Sequence, residues 1–211
     1  RFGIRSDGRS PFVALPPVLP HGSLQAGLGA SLFSERKLAR TRNRTCAACH
    51  LLNEGGTDGK VHGAVVTRPV FNAVFAPFYL QGRVRRMIED AAFSGAGPLE
   101  KAVVKLSADE KLLARFRQAY PDGLTADNVV DAIVQHCHTL ISGNMPFDAY
   151  CGGRADALTP QQIKGMELFR QRNCLSCHDG PALGTLKMSE GRKVPALRGI
   201  SRRRVYLSDG S

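Results

Sequence analysis

Cys46-Ala47-Ala48-Cys49-His50 recurs in kind as Cys174-Leu175-Ser176-Cys177-His178. Each pentapeptide brings two thiols and an imidazole onto roughly one helical turn, close enough for all three to address one group. Two cysteine sulfurs at this spacing can form thioether bonds to a haem, and the adjacent histidine is placed to ligate its iron. Zinc would want a second C-x-x-C or H-x-x-x-H nearby, and the flanks carry neither. A thioredoxin-like pair needs no trailing histidine and has no reason to come twice. The spacing therefore predicts two covalently bound haem c groups, held by Cys46, Cys49, Cys174 and Cys177 and ligated by His50 and His178.

At 211 residues the chain can build one or two small domains with real cores. Haem attachment of this kind takes place outside the bacterial cytoplasm, so the expected location is periplasmic or otherwise exported. No apolar run reaches the ~18 residues that a membrane-spanning helix needs. The start, Arg1-Phe2-Gly3-Ile4-Arg5, has no apolar core after it and reads as a mature chain rather than a signal peptide. The net charge of +11 steers acidic partners toward the surface. No nucleic-acid motif accompanies that charge, so nucleic acid is not an expected partner. Four of the six cysteines belong to the haem motifs; the remaining two, Cys137 and Cys151, read as a disulfide, with a reactive thiol as the alternative.

Elements must bring these groups into position. Residues 1–22 are rich in Pro and Gly and read as an extended arm. Ser23 to Arg40 carries Leu24, Leu28, Leu32 and Phe33 at helical spacing and leads into the first motif. A glycine-rich loop from Asn53 to Thr67 contains His62. Helices are expected over Gln81–Ala92, over Leu99–Ala119 as one or two pieces, and from a Thr125 cap to Leu140 with the stripe Val129, Val130, Ile133, Val134. Thr159-Pro160 starts another, to about Arg170, which delivers the second motif. No strand-like alternation of useful length appears. Leu28-x-x-x-Leu32-Phe33 before Cys46 and Gly165-Met166-x-Leu168-Phe169 before Cys174 make one unit used twice. The fold class expected is mainly α, two cytochrome c-like haem domains in tandem, over 23–154 and 155–211, the second apparently truncated.

The order of motifs resembles the bacterial di-haem cytochrome c peroxidases and their relative MauG. The likeness runs through Leu28-x-x-x-Leu32-Phe33, Gly55-Gly56-x-Asp58, Val70-Phe71-Asn72-Ala73-Val74-Phe75, Gly82-Arg83, Phe116-x-x-Ala119-Tyr120-Pro121, Thr139-Leu140-Ile141-Ser142, Pro146-Phe147-Asp148-x-Tyr150 and Val194-Pro195-Ala196-Leu197-Arg198. The resemblance implies an oxidoreductase that uses or reduces hydrogen peroxide at the N-terminal haem, with electrons relayed through the C-terminal one. It implies a small c-type cytochrome or cupredoxin as donor, or a protein substrate, and places a homodimer among the expectations. His62, in Val61-His62-Gly63, falls where that family has a displaceable distal ligand. His136 and His138 suit a structural or propionate-binding role better than ligation.

Departures from the family's pattern shape the remaining assignments. The chain has no tryptophan, and the inter-haem aromatic of the family corresponds to Tyr79-Leu80, which leaves Tyr79 as the candidate. The acid expected to move a proton between peroxide oxygens has no clear match; Glu89 and Asp90 are the nearest carboxylates, and Glu89 is the candidate. Ser201-Arg202-Arg203-Arg204 stands where the family's calcium-binding stretch would lie, which puts calcium in doubt. Met188 is the candidate distal ligand of the second haem. A di-haem electron carrier without peroxidase activity is the alternative function, and a redox or ligand sensor a third.

Overall fold

A computed structural model of the chain describes residues 11–16, 23–41, 44–62, 65–75, 77–90, 95–184, 188–189, 192–203 and 206. Helix α1, Leu24–Phe33, starts where the Ser23 hydroxyl accepts from Ala26 N. It ends at Ser34 rather than running on to Arg40, because the Glu35 carboxylate accepts from Lys37 N and starts a separate 3-10 turn over Arg36–Leu38. Helix α2, Cys46–Cys49, is the first motif itself. The glycine-rich loop after it contains a short antiparallel pair, β1 (Val61–His62) with β2 (Val65–Val66).

Helix α3 spans Pro77–Glu89 and so begins before the expected Gln81, with proline at its first position, where no N–H is missed. The Leu99–Ala119 stretch forms two helices, α4 (Leu99–Leu106) and α5 (Glu110–Ala119), since Asp109 accepts from Leu112 N and caps a new start. Helix α6, Ala126–Thr139, starts at the expected Thr125 cap. Helix α7 is Pro146–Cys151, and α8, Pro160–Gln171, opens with Thr159 and Gln162 capping each other's backbone. A second two-residue pair, β3 (Met188–Ser189) with β4 (Arg192–Lys193), follows. The architecture is mainly helical, as the periodicity predicts.

The described residues fall into two compact units. One runs through Leu140 and takes back residues 201–203 and 206. The other joins residues 11–16 to the segment from Ile141 to Ile200. The sequence boundaries at 22 and 154 are thus drawn differently here: residues 11–16 of the arm belong to the unit of the second motif, and the change of unit falls at the end of α6.

In the first unit α1 lies directly on α6. Leu28, Leu32, Val129, Ile133 and Phe116 are buried, as is the whole expected stripe of α6, whereas Leu24 is 60% exposed and belongs to no core. In the second unit Phe12 from the arm meets Phe147 edge-on at 5.8 Å and Phe169 at 6.4 Å. Asp148 of α7 accepts from Leu15 N (2.7 Å) and Met145 N (3.0 Å) and pairs with Arg198, whose guanidinium sits 4.6 Å above Phe147. Both partners of that ion pair are buried, so each satisfies a charge that would otherwise be costly to shelter.

The expected Cys137–Cys151 disulfide is not formed. Cys137 is buried in the first unit's core, where burial pushes its thiol up to about 12, and Cys151 packs in the second unit. A protonated thiol in an apolar core is inert.

Gly29 permits the close approach of α1 to α6. A Cβ there would fall 1.8 Å from the Ala132 carbonyl oxygen and 2.9 Å from His136 Cβ, whereas one on Gly27 would meet nothing within 4 Å. Gly29→Ala should therefore destabilise the holoprotein by about 1–3 kcal/mol through overpacking. Gly27→Ala should stabilise it by about 0.5–1 kcal/mol, the ordinary helix preference. Thermal unfolding that shows the two changes with the same sign contradicts this packing.

Candidate functional site

The Cys46–Cys49 turn is closed by His50 N, which donates to Cys46 O at 2.8 Å. A 3-10 turn over Leu52–Glu54 follows and ends in Gly55 and Gly56, with φ of +77° and +80°. Two consecutive left-handed residues reverse the chain and bring the Gly56 carbonyl back to the imidazole, 3.1 Å from His50 Nδ1. A carbonyl can only accept, so Nδ1 carries the proton and Nε2 keeps its lone pair for a metal. Burial, above all, lowers the pKa of this ring and favours its neutral form. Val70 N donates to the same carbonyl at 3.1 Å. Phe33, at the end of α1, lies 6.1 Å from the His50 ring.

The second motif repeats each of these contacts with different residues. His178 N donates to Cys174 O at 2.9 Å, and His178 Nδ1 lies 3.1 Å from Leu183 O. Leu197 N donates to that same carbonyl at 3.2 Å. Phe169 of α8 lies 6.3 Å from the His178 ring. Here the chain is turned by Leu183 (φ +54°) and Gly184 (φ +139°). A Cβ on Gly184 would sit 2.4 Å from Pro195 O and 3.0 Å from His178 Nδ1, so only glycine fits. The internal repeat is thus physical: phenylalanine against the ring, backbone carbonyl on Nδ1, and a downstream amide on that carbonyl.

These donors fit a haem at each motif. The thiols of one turn suit two thioether bonds, and an imidazole oriented through Nδ1 presents Nε2 to iron. Beside the first motif, Arg83 loses basicity through burial and through its neighbours Arg68 and Arg86, and its charge reaches His50. Three guanidinium groups gathered there suit the propionates of a bound haem.

His62, on β1, lies close to the first motif. Its Nε2 is 3.9 Å from Cys49 Sγ and 2.7 Å from Asp58 Oδ2. Burial acts most strongly on the Asp58 carboxyl and pushes it up. Hydrogen bonds from Lys60 N, His62 and Thr67 outweigh that effect and hold it below the usual carboxylate range. Glu89, at the end of α3, is engaged with its surroundings: Oε1 accepts from Leu99 N at 3.3 Å and lies 3.6 Å from Arg85 Nη1. Tyr79 belongs to α3 and Met188 to β3, but their side chains lie outside the described residues, as do His21 and Ser94. His136 is buried against Phe33, with ring centroids 5.2 Å apart, which is a packing role. Arg202 O and the Arg203 side chain pack against Gly55, 3.1 and 3.3 Å from where its Cβ would be.

Sequence reasoning did not assign roles to Asp58, Gly56, Leu183, Val70 or Leu197. Gly55-Gly56 shortly after a C-x-x-C-H was the available signal for the first carbonyl. Leu183 gave none, because leucine rarely adopts a left-handed conformation.

Comparison with known proteins agrees with this geometry. Residues 23–156 match the family model described as di-haem cytochrome c peroxidase. Cytochrome c peroxidase Ccp of Escherichia coli (strain K12) is 36% identical over 82% of this chain and 41% of its own length. Cytochrome c551 peroxidase of Nitrosomonas europaea is 29% identical, covering 95% of this chain and 73% of its own length. Methylamine utilization protein MauG of Methylophilus methylotrophus is 26% identical over 89% of this chain and 68% of its own. A crystal structure of a MauG-like protein associated with microbial copper homeostasis shares the fold, with a TM-score of 0.67 at 19% identity, over 88% of this chain and 60% of that one. The chain therefore spans between about two fifths and three quarters of these relatives' lengths. With its matched residues, its helical fold and its two equivalent histidine settings, this chain belongs to the di-haem cytochrome c peroxidase family.

Proposed function

We propose that this chain carries the haem groups of a peroxide-using oxidoreductase, in which His62 caps the first haem at rest and the second haem relays electrons to it. A bound haem supplies an iron centre that exchanges single electrons and coordinates peroxide. The chain's own residues do the rest. His50 and His178 are each fixed through Nδ1, which would leave Nε2 of each for the metal. His62 would be a displaceable second ligand of the first haem, and its withdrawal would gate access. Tyr79 is the candidate aromatic between the haems, and Met188 the candidate distal ligand of the second.

The observation that carries this reading is the placement of His62 Nε2, 3.9 Å from the thiol that anchors the first haem. It lies between two glycines of the loop, at 59 and 63, a residue type that lowers the barrier to backbone rearrangement. The expected donor is a small acidic c-type cytochrome or cupredoxin, drawn by the charge of +11. The expected setting is the periplasm; among the described residues no helix is long and apolar enough to cross a membrane. A second reading, a di-haem electron carrier, gains support from Glu89. Its carboxylate caps α4 and pairs with Arg85, contacts that engage it away from assisting cleavage of a peroxide O–O bond.

His62→Gly discriminates between them. The variant should take up two haems per chain by pyridine haemochrome assay. Its first haem should be high-spin without prior reduction and should react with peroxide at once. A variant that keeps a six-coordinate low-spin first haem makes His62 a bystander. One that opens yet stays inert to peroxide favours the carrier.

A further inference from the structure

We propose that Asp58 is the docking point of the His62 imidazole when that ring is off the iron, and so sets how readily the first haem opens. This rests on the reading of His62 as a displaceable ligand. The decisive detail is which nitrogen is engaged. Nε2 of His62 lies 2.7 Å from Asp58 Oδ2. In a histidine fixed by neither contact, Nε2 is the more accessible nitrogen for a metal, and it can bond iron only through its lone pair. To bond the carboxylate it must carry a proton. The two states exclude each other at a single atom.

The acceptor is built to stay in place while the ring moves. Asp58 N donates to Cys49 O at 2.7 Å, which ties the residue to the haem-attachment turn itself. Its Oδ1 accepts from Lys60 N at 3.0 Å, and its Oδ2 faces the imidazole. The Thr57 hydroxyl donates to Thr67 O at 2.7 Å and accepts from Gly59 N at 3.0 Å, pinning the base of the loop below β1 and β2. The Asp58 side chain is 6% exposed, whereas that of His62 is 45% exposed. A sheltered, fixed carboxylate thus faces a ring with room to swing. Asp58 itself touches neither peroxide nor the reacting atoms, so it is a positioning residue. Without this acceptor the displaced ring would lose its carboxylate partner, and recapping would be favoured.

The test reads spin state rather than turnover. In half-reduced holoprotein, electron paramagnetic resonance gives the ratio of open, high-spin to capped, low-spin first haem. Asp58→Asn keeps the side-chain shape and the Lys60 contact but removes the charge. It should lower that ratio about tenfold, the scale of a hydrogen bond to a charged acceptor. Asp58→Ala, which removes the acceptor altogether, should lower it at least as far. In a His62→Gly background neither change should reduce the high-spin fraction, since no imidazole is left to recap. An unchanged ratio in both variants overturns the proposal. So does an equal fall in the His62→Gly background, which would make Asp58 a general support of the haem pocket. Failure of the underlying reading is seen elsewhere: His62→Gly alone would leave the first haem low-spin.

Discussion

The setting of both C-x-x-C-H motifs depends on one hydrogen bond made twice, from histidine Nδ1 to a backbone carbonyl five or six residues further on. Its net contribution to stability is modest, ~1 kcal/mol. Its effect on chemistry is categorical, because it decides which ring nitrogen is free to bind metal. Both loops accept unusual backbone to make it. The first uses two glycines with positive φ, and the second holds Leu183 at +54°, a conformation that costs about 1–3 kcal/mol for a residue with a side chain. Such strain persists only where neighbours fix it. Here Val70 N and Leu197 N each bond the same carbonyl that the imidazole uses. The motifs Val70-Phe71-Asn72 and Val194-Pro195-Ala196-Leu197 are therefore the outer support of the two histidines.

Packing carries that local constraint into the fold. Gly29 lets α1 settle onto α6, and that contact places Phe33 between His136 and His50. In the other unit Phe169 does the corresponding work for His178 and is itself backed by Phe12 from the N-terminal arm. The arm is held by Leu15 N on Asp148, and Asp148 by Arg198, which lies just beyond Leu197. The support of each histidine thus draws on segments far apart in sequence, α1 and α6 for the first, the arm and the Arg198 segment for the second.

Much of this is legible in the residues. Thr125, Thr159 and Ser23 start their helices where short polar side chains can cap a backbone, and the stripe of α6 is buried as its spacing implies. The two haem motifs, the repeat that precedes them and the helical class all follow from spacing. What spacing does not carry is long-range placement. Nothing in the pattern at Leu24 distinguishes it from Leu28, yet one is exposed and the other buried. The arm reads as extended but not as part of the second unit, because the contact of Phe12 with Phe147 joins distant segments. Cys137 and Cys151 read as a pair only until Cys137 is found in an apolar core. Asp58 reads as a loop residue until its carboxylate is seen on Nε2 of His62.

The most direct measurement of the central claim is proton nuclear magnetic resonance of the oxidised, low-spin holoprotein, in which the ring protons of iron-bound histidines are shifted far from the bulk. Among the iron-bound histidines, which on this account include His62, the two backbone contacts predict two slowly exchanging Nδ1–H resonances, one each from His50 and His178, because each of those protons is donated to a carbonyl. Loss of either signal, rapid exchange at both, or coordination through Nδ1 at either residue would contradict the account.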